Sequence, residues 1–271
     1  MKPFFSIIIP TLNEEKFLPS LLNNLACQKN KDFEVIIVDG RSEDKTKKIV
    51  FHTKGLLTKF YLVSKRNVSY QRNFGAQKAR GSYLVFLDAD SGILPSFTAK
   101  AKQTINKRPG LFFLPYLYST EKSPEIIFVF NLVNLAIDIS QNLKTPFSSG
   151  GAMIIERNFF NCLGGFNEKL FLAEDHSLVR KAMEWGVRAK FAKNIKVKFS
   201  LRRVKKEGQL TYISKYLISS LHLLIRGDIK KKIFDYQMAG GQVYDEADKK
   251  LPIEQVLKNS LRRVQKFIRE I

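Results

Sequence analysis

Two aspartates one residue apart, Asp88 and Asp90, directly follow the apolar run Tyr83 to Leu87. Such a run reads as a buried parallel strand. In extended chain, alternate side chains point the same way, about 6.6 Å apart, so the two carboxylates repel each other unless a cation or donor-rich ligand lies between them. The carboxyl end of a strand in an open α/β sheet is also where ligands bind. A divalent metal holding a phosphate suits this pair. Two earlier strands, expected at 4–10 and 33–38, end in Pro10-Thr11-Leu12-Asn13-Glu14 and Asp39-Gly40-Arg41-Ser42. Asn13 and Ser42 taken alone read as caps of the next helices, and Asp39 as a turn former. Acids at three adjacent strand ends ask for more than caps: together they suit a base, a ribose and a metal-bound phosphate.

Three further groups are candidates. Arg72, near the start of a helix expected at 69–80, is either a solvated helix arginine or a phosphate or base ligand in the same cleft. Glu174-Asp175-His176 opens a helix expected at 174–185, where acids commonly only complement the helix dipole. Glycine pairs on either side, Gly150-Gly151 and Gly164-Gly165, allow backbone to approach a ligand closely, and a carboxylate there can serve as general base. His176 reads as a supporting residue, since the other histidines, His52 and His222, are remote in sequence. Arg202 and Arg203 start a basic run that is either a solvated stretch or a clamp on a diphosphate or anionic acceptor.

The elements that must position these residues alternate. Strands are expected at 4–10, 33–38, 58–63, 83–87 and 111–117, with helices at 14–28, 43–52, 69–80 and 95–106. Continuous apolar strands such as Val35 to Val38, separated by amphipathic helices, predict a parallel sheet covered on both faces. Residues 119–148 break the rhythm as an insertion with an apolar helix. Residues 150–156 resume as a strand, and the basic–apolar alternation of 188–199 suits an edge strand. The expected organisation is one domain over 1–205, divided at 118, and a helical extension over 206–271. In the last twenty residues, apolar positions from Ile253 to Ile271 form one helical stripe beside Lys258, Arg262, Arg263, Lys266 and Arg269, so this helix docks on the core or on an anionic membrane.

The chain has 271 residues, 44% of them hydrophobic, and a formal net charge of +21. The size allows one substantial core. The charge favours polyanions, anionic membranes and phosphate-bearing substrates. Cys27 and Cys162 lack metal-ligand spacing and read as buried reduced thiols in helices. The N-terminal apolar run reads as a first strand and not a signal peptide, and no stretch reaches eighteen apolar residues, which together predict a cytoplasmic protein. A nucleic-acid or anionic-surface binding protein is the rival expectation from charge, although the aromatic–basic interleaving of single-strand binders is absent. A nucleotidyltransferase lacks support because no glycine-rich phosphate loop lies near the N-terminus.

With these motifs in order, the sequence resembles the family 2 glycosyltransferases, which have the GT-A fold. The matching stretches are Ser6-Ile-Ile-Ile-Pro-Thr-Leu-Asn-Glu-Glu15, Glu34-Val-Ile-Ile-Val-Asp-Gly-Arg-Ser-Glu-Asp-Lys-Thr46, Arg72 through Asp90, and Gly150-Gly-Ala-Met-Ile through Gly164-Gly-Phe-Asn-Glu to Glu174-Asp175. The resemblance implies a Rossmann-like, mostly parallel sheet with helices on both faces, followed by C-terminal helices. It implies that the two parts of 1–205, divided at 118, are the nucleotide-binding and acceptor halves of a catalytic domain. It implies that Pro10, Thr11, Asn13, Glu14, Asp39 and Arg72 serve the nucleotide of a UDP-, GDP- or dTDP-sugar. Asp88 would face the ribose, Asp90 would hold magnesium or manganese on the diphosphate, and Asp175, with Glu174 beside it, would be the base of an inverting displacement. Ser200-Leu-Arg-Arg203 looks like an element of a subset of small bacterial and archaeal members and supports a clamp by Arg202 and Arg203. The Gln-x-x-Arg-Trp motif of processive members is absent, Trp185 being the only tryptophan, so transfer of one sugar is expected. The acceptor would be a hydroxyl or phosphate, possible lipid linkage and attachment to the inner face of the cell membrane following from the basic C-terminal half.

Overall fold

In a computed structural model, the described residues are 2–202 together with 206, 215, 219, 222–223, 227–231, 233 and 240–241. Arg203, most of the expected helical extension and the amphipathic stretch at 253–271 lie outside them. The framework is an eight-stranded sheet in the order β3-β2-β1-β4-β7-β6-β8-β5. Its strands are β1 (Phe5–Thr11), β2 (Phe33–Asp39), β3 (Thr58–Leu62), β4 (Tyr83–Phe86), β5 (Gly92–Ile93), β6 (Phe112–Tyr118), β7 (Met153–Glu156) and β8 (Lys190–Lys198). The helices are α1 (Leu18–Ala26), α2 (Thr46–His52), α3 (Val68–Lys78), α4 (Phe97–Lys107), α5 (Pro124–Ser140), α6 (Arg157–Cys162) and α7 (Glu174–Glu184).

The continuous apolar runs behave as expected: every residue of β1 and β2 is buried. Leu18, Leu21, Leu22 and Leu25 recur at helical spacing and give α1 its buried face. Each fully buried side chain of this kind contributes ~1.5–3 kcal/mol, so the strand ends are mounted on a deeply buried β1–β2–β4 centre. Strands β1, β2, β3, β4, β6 and β8 run in one direction, whereas β7 is antiparallel to both β4 and β6, and β5 to β8. The sheet is therefore mostly parallel rather than wholly so. The reversal of β7 has a local cause: the chain reaches it from Gly151, already beside Asp88 at the carboxyl edge, and can only run back down. The expected alternation in β8 is present, and β5 covers only its Val197–Lys198 end, leaving most of one edge open.

Three expectations are corrected. Helices α1 and α2 begin at Leu18 and Thr46, four and three residues late. Neither Asn13 nor Ser42 caps them: Asn13 takes a left-handed conformation (φ 52°) and bonds across to the Ser42–Glu43 loop. Cys27 and Cys162 are free thiols but exposed. Cys27 lies just past the last buried leucine of α1, and Cys162 ends α6 beyond its buried Phe159–Phe160 pair.

Candidate active site

The parallel registers bring the strand ends together. Thr11 of β1 stands beside Asp39 of β2, and Ile8 beside Phe86, two residues before Asp88. Pro10, level with Val38, is buried within the end of β1. The Asp39 carboxylate accepts hydrogen bonds from Thr11 Oγ1 (2.8 Å), Ser42 N (2.8 Å) and Ser42 Oγ (2.6 Å). Ser42 Oγ in turn accepts the Asn13 N–H (2.8 Å), Asn13 Oδ1 accepts the Glu43 N–H (2.7 Å), and Thr46 Oγ1 accepts the Glu14 N–H (2.8 Å). These bonds lock the two loops side by side. Gln71, which sequence reading passed over, completes the lock: its amide donates to the carbonyls of Thr11 and Val38, both at 2.8 Å. Its only sequence signal is a polar residue on the buried side of α3, next to Arg72.

Two arginines organise the acids. Arg72 is buried on α3, which Asn67 caps by accepting the Tyr70 N–H. Its guanidinium donates to Asp88 (2.7 Å) and to Glu174 (2.7 Å) and packs over Phe166 (5.3 Å). It is therefore not a solvated helix arginine. Although burial works against its charge, Asp88 and Glu174 hold its pKa above the usual arginine range. Arg202 grips Glu14 with two hydrogen bonds (2.8 and 3.1 Å), lies 2.8 Å from Asp90 through Nε, and stacks over Phe17 (4.7 Å). Glu14 is nonetheless pushed up to about 7, because burial outweighs the arginine and Asp90 and Asp88 add repulsion. Burial also raises Asp90, with Asp88 adding to the effect against Arg202.

Glu174 and Asp175 open α7 after Ala173, a non-glycine residue at φ 62°. Holding a left-handed alanine costs ~1–2 kcal/mol, a strain of the kind found where geometry serves a site. The Gly164-Gly165 turn, left-handed at both residues, returns the chain here, and Gly165 has no room for a side chain against Asn73. Burial raises Glu174, and its neighbour Asp175 reinforces this against Arg72. Burial would also raise Asp175, but His176, hydrogen-bonded at 3.1 Å, and Arg72 hold it well below the usual carboxylate range. His176 is raised in return by Asp175, despite its burial, and meets the edge of Phe147 at 5.8 Å.

The other glycine pair has a steric purpose. A Cβ on Gly151 would lie 2.5 Å from the Asp88 carboxyl carbon, so any larger residue there makes that carboxylate shift. The strand-end acids Glu14, Asp39, Asp88 and Asp90 and the α7 acids Glu174 and Asp175 thus gather at one edge, where Arg72 joins Asp88 to Glu174 and Arg202 joins Glu14 to Asp90. The described residues contain no group of three or more metal-ligating side chains. The donor set fits a magnesium- or manganese-type ion held by one or two carboxylates plus substrate phosphate, and Arg202 already lies as a cation against the Asp90 carboxylate.

The structure resembles solved glycosyltransferases. It matches the mannosyltransferase PcManGT from Pyrobaculum calidifontis, in complex with GDP-Man and Mn2+, with a TM-score of 0.65 at 20% identity over 83% of this chain and 65% of that one. It matches TarS of S. aureus, in complex with UDP-GlcNAc, with a TM-score of 0.61 at 22% identity over 82% of this chain and 67% of that one. The fold is GT-A. In sequence, an uncharacterized glycosyltransferase of Haemophilus influenzae is 27% identical over 66% of this chain and 62% of its own length. A dolichyl N-acetyl-alpha-D-glucosaminyl phosphate 3-beta-D-2,3-diacetamido-2,3-dideoxy-beta-D-glucuronosyltransferase of Methanococcus voltae is 26% identical over 85% of this chain and 70% of its own. The chain spans about three fifths of the Haemophilus relative. Residues 6–164, more than half of the chain, match the family described as Glycosyl transferase family 2. The chain belongs to glycosyl transferase family 2.

Proposed function

We propose that this protein transfers a single sugar from a UDP-, GDP- or dTDP-sugar to the hydroxyl or phosphate of a lipid-linked acceptor, with inversion at the anomeric carbon. The observation that carries the reading is Arg72, whose guanidinium joins Asp88 on the donor side to Glu174 on the α7 side at 2.7 Å each. One buried cation thereby ties Asp88 to Glu174, the residue next to the candidate base. Pro10, Thr11, Asn13, Glu14 and Asp39 form the nucleotide wall, held rigid by the Ser42 and Gln71 bonds, and Asp88 faces the ribose. Asp90, with Asp88 beside it, would hold a divalent ion, which when bound neutralises charge on the departing diphosphate. Arg202 leaves Glu14 and Asp90 to reach the diphosphate.

Asp175 is the base. Its carboxylate is ionised throughout the neutral range, oriented by His176, and takes the acceptor proton as the acceptor oxygen bonds to the anomeric carbon. The bond from that carbon to the diphosphate oxygen breaks in the same step, and its electron pair leaves with the nucleotide diphosphate. The Methanococcus relative, whose name describes a dolichyl-phosphate-linked acceptor, supports the lipid-linked reading.

Steady-state turnover of nucleotide-sugars with manganese tests the assignment. Asp175→Asn should retain donor binding and lose at least ~100-fold in turnover, the size of a general-base contribution. An Asp175→Asn enzyme with wild-type turnover overturns the base assignment. Wild-type protein inert toward every donor and lipid phosphate acceptor overturns the function.

A further inference from the structure

Helix α5 is apolar on two faces, although only one is used by the core. Phe130, Val133 and Ile137 pack inward, and Asn134 pins the helix to β6 through the N–H and carbonyl of Leu117. On the opposite face Phe128, Leu132, Leu135 and Ile139 follow at i, i+4, i+7 and i+11, each more than half exposed and Phe128 at 67%. Ile127 and Val129 widen the stripe, and exposed Leu143 extends it. A contiguous exposed apolar face on a helix marks an interaction surface.

One flank of this stripe carries three cations, one of them paired with an acid of α5. Lys196 lies over the Tyr116 ring, whose hydroxyl donates to Asn131; Lys193 pairs with Asp138 (3.1 Å); Arg188 donates to Asn142. These contacts hold the cations of β8 and its approach beside α5. The occupant must therefore be both apolar and anionic. A second copy of this chain, at net charge +21, would bring cations against cations. The chain's own stretch 253–271 is cationic too, and a nucleic acid would leave the stripe in water. An exposed apolar stripe with cations on its flank is the arrangement of a helix that lies along a membrane.

We propose that the outward face of α5 seats the protein on an anionic lipid bilayer, with the β8-side cations at the headgroups. The proposal rests on the lipid-linked acceptor reading and deepens it. The C-terminal end of α5 leads into the site: Ser140 Oγ accepts the Phe147 N–H, the Gln141 amide donates to the Phe147 carbonyl, and Phe147 supports His176 beside Asp175. A docked α5 therefore presents the base to acceptors anchored in the same leaflet.

The test is flotation of the full chain with vesicles of phosphatidylglycerol and phosphatidylcholine in equal parts, and with phosphatidylcholine alone. Wild type should float with the anionic vesicles, and the triple variant Phe128→Ser, Leu132→Ser, Leu135→Ser should bind at least ~10-fold more weakly. Lys193→Gln with Lys196→Gln should lose several-fold on anionic vesicles. Leu132→Ser alone carries the test if the triple variant does not fold. Wild type that fails to float, or a stripe variant that floats equally, overturns the proposal. Analytical ultracentrifugation showing a wild-type dimer that the stripe substitutions split, with no vesicle binding, assigns the face to a second copy and overturns it as well. Nucleotide-sugar hydrolysis is measured in the same samples: flotation that depends on the stripe without hydrolysis supports the surface and overturns the transferase reading.

Discussion

Replacing Gly151 by alanine adds a single methyl group to the molecule, at the point where β7 passes Asp88. The backbone of Gly151 lies outside the left-handed region, so contact alone opposes the methyl. The new Cβ would stand 2.5 Å from the Asp88 carboxyl carbon, against an ordinary contact of at least 3.4 Å, so the carboxylate must withdraw by about 1 Å. A withdrawal of that size directed away from Arg72 takes their 2.7 Å bond beyond hydrogen-bonding range. Asp88 is 42% exposed and Arg72 keeps Glu174, so the solvent-screened cost in stability is only ~1 kcal/mol. The functional cost is larger. A displacement of about 1 Å at a positioning group costs ~100-fold in kcat/KM, or about 2.7 kcal/mol of transition-state stabilisation. Donor turnover by Gly151→Ala in wild-type and Asp88→Ala backgrounds, with thermal melts beside it, measures this. The methyl should be nearly silent once Asp88 is gone. Wild-type-like turnover, or an equal penalty in both backgrounds, would refute the reasoning.

Glu34, with its side chain fully buried, accepts from Ser6 Oγ and the Arg80 N–H and pairs with Lys59. Glu34→Ala should cost ~3 kcal/mol in denaturant unfolding at pH 7, since it strands buried partners. Although burial opposes it, these partners lower the Glu34 pKa in the fold, so its contribution is present above the unfolded value and is lost as pH falls through the folded one. The gap between wild type and Glu34→Ala should therefore narrow in acid, and a constant gap excludes the linkage. Glu14 has the opposite sign. Its pKa rises from 4.5 to about 7, so the folded state binds the extra proton between these values and stability falls as pH rises across that window, by about 3 kcal/mol in total. Melting temperature against pH should flatten in Glu14→Gln over this window. An unchanged slope would show that another group carries it.

Much of this site is legible from strand ends alone. Glu14, Asp39, Asp88 and Asp90 fall where apolar runs stop, and parallel pairing of those runs must align them. Arg72 is ambiguous in sequence because an arginine on a helix is usually solvated; its burial arises only when Asp88, Glu174 and Phe166 converge from distant segments. The same reason hides Gln71, whose partners are backbone carbonyls of two other strands. Asn13 and Ser42 look like caps because residue type reports a local preference, whereas here their bonds cross between loops some thirty residues apart. Cys27 and Cys162 illustrate the limit of helical periodicity at helix ends, where a last residue loses its buried face. The outward stripe of α5 is also invisible in sequence, because apolar residues on both faces of a helix do not say which face the core uses.

The central claim is that Asp88 and Asp90 mark a metal-assisted nucleotide-sugar site. Calorimetric titration of UDP-GlcNAc and GDP-mannose into the protein, with and without manganese, tests it most directly when repeated on Asp90→Ala. At least one of these donors should bind, manganese should strengthen that binding in wild type, and Asp90→Ala should abolish it. Equal affinity in the two proteins, with manganese making no difference to either, would contradict it.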